Sequence, residues 1–354
     1  MHAANAAFLR AIADHPDDDL PRLVYADFLD DRGDPRGEFV RLQVERPRLP
    51  ADDPRRAEWA ARERELLRRH GDAWLGPLAH VVSGYTFRRG FVEDVVVMTE
   101  AFVAHAAVLF AHAPIRRATL RGALGWVRAL ARLPQLARLA ALDLGYDHLE
   151  AADARTLVAS PHLAELRALN LNGNYIGDDG VRALTAATHL RGLRELKLEG
   201  CHLTAAAARA MAVAPHLAQL RRLDVSDNTL DDAGVSALVA APFAKHFTTL
   251  DLTSVLLTGP AVEELAASSA SASLTRLRLG YNLLGTAAAR ALAASPHLTR
   301  LRRLDLTGNA IGDDGALALL DSPTLAGLER LELSVNPLSA AVSDRVAERF
   351  GEAG

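Results

Sequence analysis

The sequence predicts an α/β solenoid, with a parallel sheet on one side, helices on the other, and a small helical domain ahead of both. Three observations predict it. An apolar pattern of the form LxxLxL returns every 27 residues through most of the 354-residue chain. Each copy is followed by a stretch, often alanine-rich, with helical spacing. The first 70 residues follow neither rule.

A chain of this length exceeds one ordinary compact core, so either two domains or an extended array is expected. Apolar residues make up 49% and charged residues 24%, the balance of a folded, water-facing protein. Aromatics are only 5%, so bulk must come from Leu, Val and Ala, as thin repeated layers require. The net charge of −4 gives no global attraction to nucleic acid or anionic membrane. Cys201 is the single cysteine, which excludes an intrachain disulfide and a cysteine-rich zinc site. No uncharged apolar run reaches ~18 residues, and the N-terminus lacks the order of a secretory signal. A cytoplasmic protein without a membrane span is expected.

The repeat frame reads Leu139-Leu142-Leu144, Leu166-Leu169-Leu171, Leu193-Leu196-Leu198 and Leu220-Leu223-Val225. It continues as Phe247-Leu250-Leu252, Leu274-Leu277-Leu279, Leu301-Leu304-Leu306 and Leu328-Leu331-Leu333. Each middle residue stands 27 after the last, as Leu169 does after Leu142, without a slip. Further pairs follow at Asp147/Leu149, Asn174/Ile176, Cys201/Leu203, Asn228/Leu230, Val255/Leu257, Asn282/Leu284, Asn309/Ile311 and Asn336/Leu338. Alternation around LxL gives a short strand with one buried face. The second half of each unit is helical, and its alanines allow close packing. One unit cannot bury both surfaces, whereas a stack of units can. The pattern LxxLxLxxN/CxL resembles the leucine-rich repeats, and the 27-residue unit with a helical second half resembles their ribonuclease-inhibitor-like subfamily. That resemblance implies a horseshoe with a concave parallel β-sheet and convex α-helices.

The regular repeats are assigned to residues 139–338. Residues 71–138 read as irregular first repeats, with strands near 92–97 and 115–120. Thr99 is expected to cap a helix running to about Ala111, and Trp126 to Leu133 forms the next helix. About ten parallel strands result. Residues 339–354 form a C-terminal capping helix, with Val342, Val346 and Phe350 on one face. Residues 1–70 suggest four helices, around Phe8–Ile12, Leu20–Leu29, Phe39–Val44 and Pro54–Arg69. The stretch from Pro21 through Tyr25, Asp27, Phe28, Asp30, Gly33, Asp34 and Gly37 to Phe39 resembles a small bacterial repeat-companion domain found ahead of such repeats. This implies a bacterial source and an accessory, N-capping role.

The motifs point away from catalysis. No phosphate-cradling GxxxxGK, no HExxH and no GxSxG occurs, and neither a cofactor nor a metal site is assigned. The turns Gly177-Asp178-Asp179-Gly180 and Gly312-Asp313-Asp314-Gly315, with Asp231-Asp232, are expected to cap their own helices. Some bacterial leucine-rich-repeat proteins are cysteine-dependent ubiquitin ligases. Here Cys201 occupies the repeat's Asn/Cys position and is expected to be buried and inert. His162, His189, His216 and His297 share one register; solvated helix-end histidines are the simpler reading than a metal ladder. Residues 115–141 carry Arg116, Arg117, Arg121, Arg128, Arg132 and Arg138 and no acid, whereas residues 14–38 are acidic. Electrostatic docking of the first segment by the second is expected.

The binding face is expected between the leucines. One row there is Asp143, Asn170, Lys197, Asp224, Asp251, Arg278, Asp305 and Glu332. Two residues earlier the row is Ala141, Ala168, Glu195, Arg222, Thr249, Arg276, Arg303 and Arg330. Tyr146 and Tyr281 are candidate aromatic anchors. Eight strands at ~4.8 Å make a sheet roughly 35–40 Å long, ample for the ~800 Å² per partner of a typical complex. The expected function is a monomeric, non-enzymatic scaffold holding a protein partner rather than nucleic acid. The alternatives weighed are a regulatory protein of the GTPase-activating type, since similar repeats occur in Ran GTPase-activating proteins, and an orphan enzyme. The unit at about residues 242–268, with Val255 and Phe247 replacing the usual polar and leucine residues, is expected to be irregular.

Overall fold

The structure, a computed structural model, describes residues 3–351. It divides into two compact units, Met1–Asp143 and Leu144–Gly354.

The first unit opens with helices α1 (Ala3–Asp14), α2 (Leu20–Asp30), α3 (Arg36–Glu45) and α4 (Arg55–Leu75). The four expected helices are present, though α4 runs past residue 70. The resemblance motif builds their junctions. Asp34 accepts the Arg36 amide at 2.9 Å, which orders the start of α3. Gly37 lets α3 approach α2: a β-carbon there would lie 2.8 Å from the Ala26 carbonyl oxygen and closer still to Asp30. Tyr25 and Phe28 pack with Phe8, and Tyr25 stacks on Phe91.

Next come β1 (Gly84–Arg88), β2 (Phe91–Met98), α5 (Thr99–His112), β3 (Arg117–Arg121), α6 (Val127–Leu130) and β4 (Ala141–Asp143). Strands β2, β3 and β4 pair in parallel, near the expected positions. Strand β1 was not expected and pairs antiparallel with β2. Arg89 (φ 49°) and Gly90 (φ 87°) close this hairpin in the left-handed region that two-residue turns favour. Two local expectations change. Thr99 is the first residue of α5, not its cap; Met98, still extended at the end of β2, precedes the helix, and the Thr99 hydroxyl donates to the Arg121 carbonyl at 3.0 Å. The segment after Trp126 makes only the short α6 before Pro134, which opens a 3-10 turn where a longer helix was expected.

The acidic residues of 14–38 pair mainly inside the helical part, although Asp19 also lies 3.5 Å from Arg89 in the β1–β2 turn. Asp27 and Asp30 pair with Arg41, Asp19 with Arg48, and Glu38 with Arg62, all within the helical part. Arg116 and Arg138 each donate to a main-chain carbonyl, of Arg138 and Phe110 respectively. The buried link to the strands is basic on the helical side. Arg22 in α2 meets Glu93 in β2 at 2.7 Å, and both side chains are buried. Arg89 reaches the same carboxylate at 2.9 Å. Burial pulls Arg22 below its ordinary pKa, and the Glu93 charge opposes that pull.

The second unit alternates helix and strand: α7 (Ala151–Val158), β5 (Ala168–Asn170), α8 (Gly177–Ala186), β6 (Glu195–Lys197), α9 (Ala205–Ala212) and β7 (Arg222–Asp224). It continues with α10 (Asp231–Ala240), β8 (Thr249–Asp251), α11 (Gly259–Ala267), β9 (Arg276–Arg278) and α12 (Gly285–Ala294). The last elements are β10 (Arg303–Asp305), α13 (Asp313–Leu320), β11 (Arg330–Glu332) and α14 (Ala340–Phe350). Strands β5 to β11 pair in parallel, each residue opposite its counterpart 27 positions on, as Leu196 is opposite Leu223. The framing leucines are buried throughout. Helices are wider than the ~4.8 Å strand spacing, so stacking curves the unit with its strands inside.

Consecutive repeats are not equivalent: they alternate, and the structural period is two repeats. Asn174, Asn228, Asn282 and Asn336 are clamps. The Asn228 Oδ1 accepts the amides of Cys201 and Leu203, at 3.0 and 2.8 Å, while its Nδ2 donates to the carbonyls of Leu198, Val225 and Ser226. Asn174 and Asn282 repeat this set around Asp147/Leu149 and Val255/Leu257. Backbone conformation alternates in step. His148, His202, Leu256 and Ala310 have positive φ in one set of repeats, and Gly177, Asp231 and Gly285 in the other. Positions 147, 201 and 255 can therefore be Asp, Cys or Val, because the next repeat's asparagine satisfies the backbone there.

This alternation removes the irregularity expected at residues 242–268. Strand β8 keeps its register on both sides, Val255 is buried, and Phe247 packs edge-on to Phe243. The paired aspartates act only in part as expected. Asp231 caps its own helix through the Ala233 and Gly234 amides. Asp178, Asp232 and Asp313 instead reach to the helix start of the following repeat, accepting the amides of Thr204, Thr258 and Ser339 at 2.8–2.9 Å. That contact holds the Asp313 carboxyl below its usual pKa. The C-terminal helix α14 forms as expected, with Ser339 capping the Val342 amide and Val342 buried.

Candidate binding face

Strand alternation places both predicted rows on the solvent side of the sheet. Leu223 is buried, for example, between exposed Arg222 and half-buried Asp224. Glu195, Arg222, Arg276, Arg303 and Arg330 form one row; Asn170, Lys197, Asp224, Asp251, Arg278, Asp305 and Glu332 form the other. Two adjoining depressions lie here, with volumes near 460 and 520 Å³, and Arg276, Arg278, Arg303, Asp224 and Asp251 line both.

Several residues of the second row have a structural task that the sequence reading missed. Asn170, Asp224, Asp251 and Asp305 each accept the amide two residues ahead, at 2.9–3.2 Å, and so turn the chain at the strand end. Asp251 is buried, bonded to the Thr253 hydroxyl and to Arg278 at 2.9 Å, and so is not the open contact residue expected. Burial first, and to a lesser degree the proximity of Asp251, raises the Asp224 pKa above its ordinary value. Arg222 pairs with Glu195 at 3.2 Å, Lys197 with the same carboxylate at 3.7 Å, and Arg330 with Glu332. Arg276 and Arg303 have no carboxylate within ion-pair distance among the described residues.

Tyr146 and Tyr281 remain exposed, 63% and 59%, at the edge where the strands turn. Both hold positive φ, and each ring lies over the glycine of the next repeat. A β-carbon on Gly173 would fall 2.2 Å from the Tyr146 ring, so glycine is required there. The Tyr146 hydroxyl donates to Glu199 at 3.1 Å. The sequence reading overlooked Tyr175, 53% exposed, which stacks on His148 at 5.7 Å and lies 5.2 Å from His202.

The remaining candidates resolve as packing. Cys201 is buried, donates from Sγ to the Leu171 carbonyl at 3.1 Å, and burial pushes its thiol up to about 11. No group of three metal-ligating side chains comes together among the described residues. His216 is buried, unlike the solvated residue expected, beside Leu184 and His189 of the preceding repeat. Burial, with a smaller push from His189, holds its pKa below ~6.5. A depressed folded-state pKa contributes stability above ~6.5 that is lost as pH falls through the folded value. His216→Gln should therefore flatten the fall in Tm between pH 7 and 5; an unchanged slope would show that His216 does not carry it. No helix among the described residues is long and apolar enough to cross a membrane.

A comparison with curated proteins returned no match. Among solved structures, the chain is similar to one in the crystal structure of a TLR13–ssRNA13 complex, with 19% identity and a TM-score of 0.41. The likeness covers 64% of this chain and 34% of that one, so the chain spans about a third of that protein's length. The Leucine Rich repeat family model matches residues 162–184, 216–239 and 296–320. With the 27-residue register of the strands, that match makes the fold a leucine-rich-repeat solenoid preceded by a helical N-terminal region.

Proposed function

We propose that the chain is a non-enzymatic interaction scaffold that holds a protein partner against the solvent face of strands β5–β11. The observation that carries this reading is that Arg276 and Arg303, side by side on β9 and β10 in a charged depression, have no carboxylate partner among the described residues, while Tyr146 and Tyr281 stand exposed where their strands turn. Surface charges that serve only solubility pair off or disperse, each pair contributing under ~1 kcal/mol. Exposed arginine and tyrosine beside a depression are instead the side chains that dominate binding energy. The inert Cys201 thiol supports binding rather than nucleophilic catalysis, and a free buried cysteine suits a reducing, cytoplasmic setting. Affinity capture with the full chain, and with Tyr281→Ala and Arg278→Glu, tests the proposal. Loss of the same captured proteins in both variants is the expected result; identical capture by all three chains would overturn it.

A further inference from the structure

Opposite charges interleave along part of this face, as Arg278 does between Asp251 and Asp305, but in places like charges are stacked. Arg276 and Arg303 are direct partners on β9 and β10, and Arg330 follows Arg303 on β11. Asp224 and Asp251 are direct partners on β7 and β8. Strands lie ~4.8 Å apart, so both stacks are mutually repulsive, and like charges opposite one another destabilise a sheet. The neighbouring ion pairs relieve Arg222, Arg278 and Arg330, each of which has a carboxylate. Arg276 and Arg303 are left with none, and Asp305 has no cation within ion-pair distance among the described residues. The Arg276 guanidinium is pulled below its ordinary pKa by burial first and then by Arg303, Arg278 and Arg222. An anion seated between Arg276 and Arg303 would relieve that repulsion.

A purely anionic ligand fits poorly, because Asp224, Asp251, Asp305 and Glu332 line the same depression. Arg303 and Asp305 stand two residues apart on one strand, with side chains on the same face. Their separation along the strand is ~6.6 Å, which is also the i to i+2 spacing of an extended peptide. We propose that the face takes an extended segment of a protein partner bearing an acidic and a basic side chain two positions apart, the acid between Arg276 and Arg303 and the base against Asp305. This rests on the strand-face reading above.

A displayed library of random peptides, selected on the full chain and on an Arg276→Glu/Arg303→Glu variant of matching Tm, tests it. Enrichment of acid-x-base pairs on the parent is expected. A synthetic Glu-Ser-Lys peptide should then lose at least tenfold in affinity on the variant, and a Lys-Ser-Lys peptide should gain. Enrichment of uniformly acidic or phosphoserine-dependent sequences would overturn the pairing. So would peptides indifferent to the double variant. If such indifferent peptides still lose binding in Tyr281→Ala and Arg278→Glu, the strand face stands while the paired-charge proposal fails. If no substitution on the face matters, both fail.

Discussion

Asn228→Ala is expected to lower the unfolding free energy by about 3–5 kcal/mol, because it leaves the buried amides of Cys201 and Leu203 without an acceptor, at about 1–3 kcal/mol each. It also strips the buried carbonyls of Leu198 and Val225 of their donor, while the Ser226 carbonyl keeps the Gly200 amide. Cys201→Ala, at the equivalent place one repeat earlier, should cost only about 1 kcal/mol, an ordinary small-residue loss. The contrast follows from the two-repeat period and would not arise in a solenoid of identical units. Urea midpoints of the two variants measure it; equal losses would contradict the alternation.

The second large effect lies in the N-terminal unit. Arg22→Ala should destabilise by about 3–5 kcal/mol, the usual cost of leaving a buried charge without its partner. Glu93 keeps only Arg89, itself partly open to water. Arg22→Met combined with Glu93→Met should recover most of that loss, since apolar replacement of a buried ion pair is often near neutral. The observable is the thermal transition of each variant. A double variant as unstable as Arg22→Ala alone would mean that the residues act separately.

Much of this was legible in the residues. The 27-residue frame fixes the strands of the second unit, because one buried leucine row admits a single register. The alternation was written in the same letters: Asn174, Asn228, Asn282 and Asn336 are all asparagine, while Asp147, Cys201 and Val255 vary. Asn309 fits either class, which conceals the pattern when all eight positions are treated alike. Strand β1 escaped because an antiparallel hairpin partner obeys no repeat; only the Arg89–Gly90 turn marks it. The polarity of the Arg22–Glu93 contact was illegible, since the surplus of acid in residues 14–38 concealed one basic side chain turned inward. On the binding face, alternation gave the facing of each residue correctly. Their pairing was not readable, because it depends on which acids the strand-end turns consume, as at Asp251.

The central claim is that a partner sits on the strand face. Arginine-selective labelling with a dicarbonyl reagent, read by mass spectrometry with and without captured partner, tests it most directly. Arg276 and Arg303 should label readily in the free chain and be protected in the complex, while Arg209 and Arg290 on helices α9 and α12 keep their labelling. Protection of the helix arginines with Arg276 and Arg303 still reactive would contradict it.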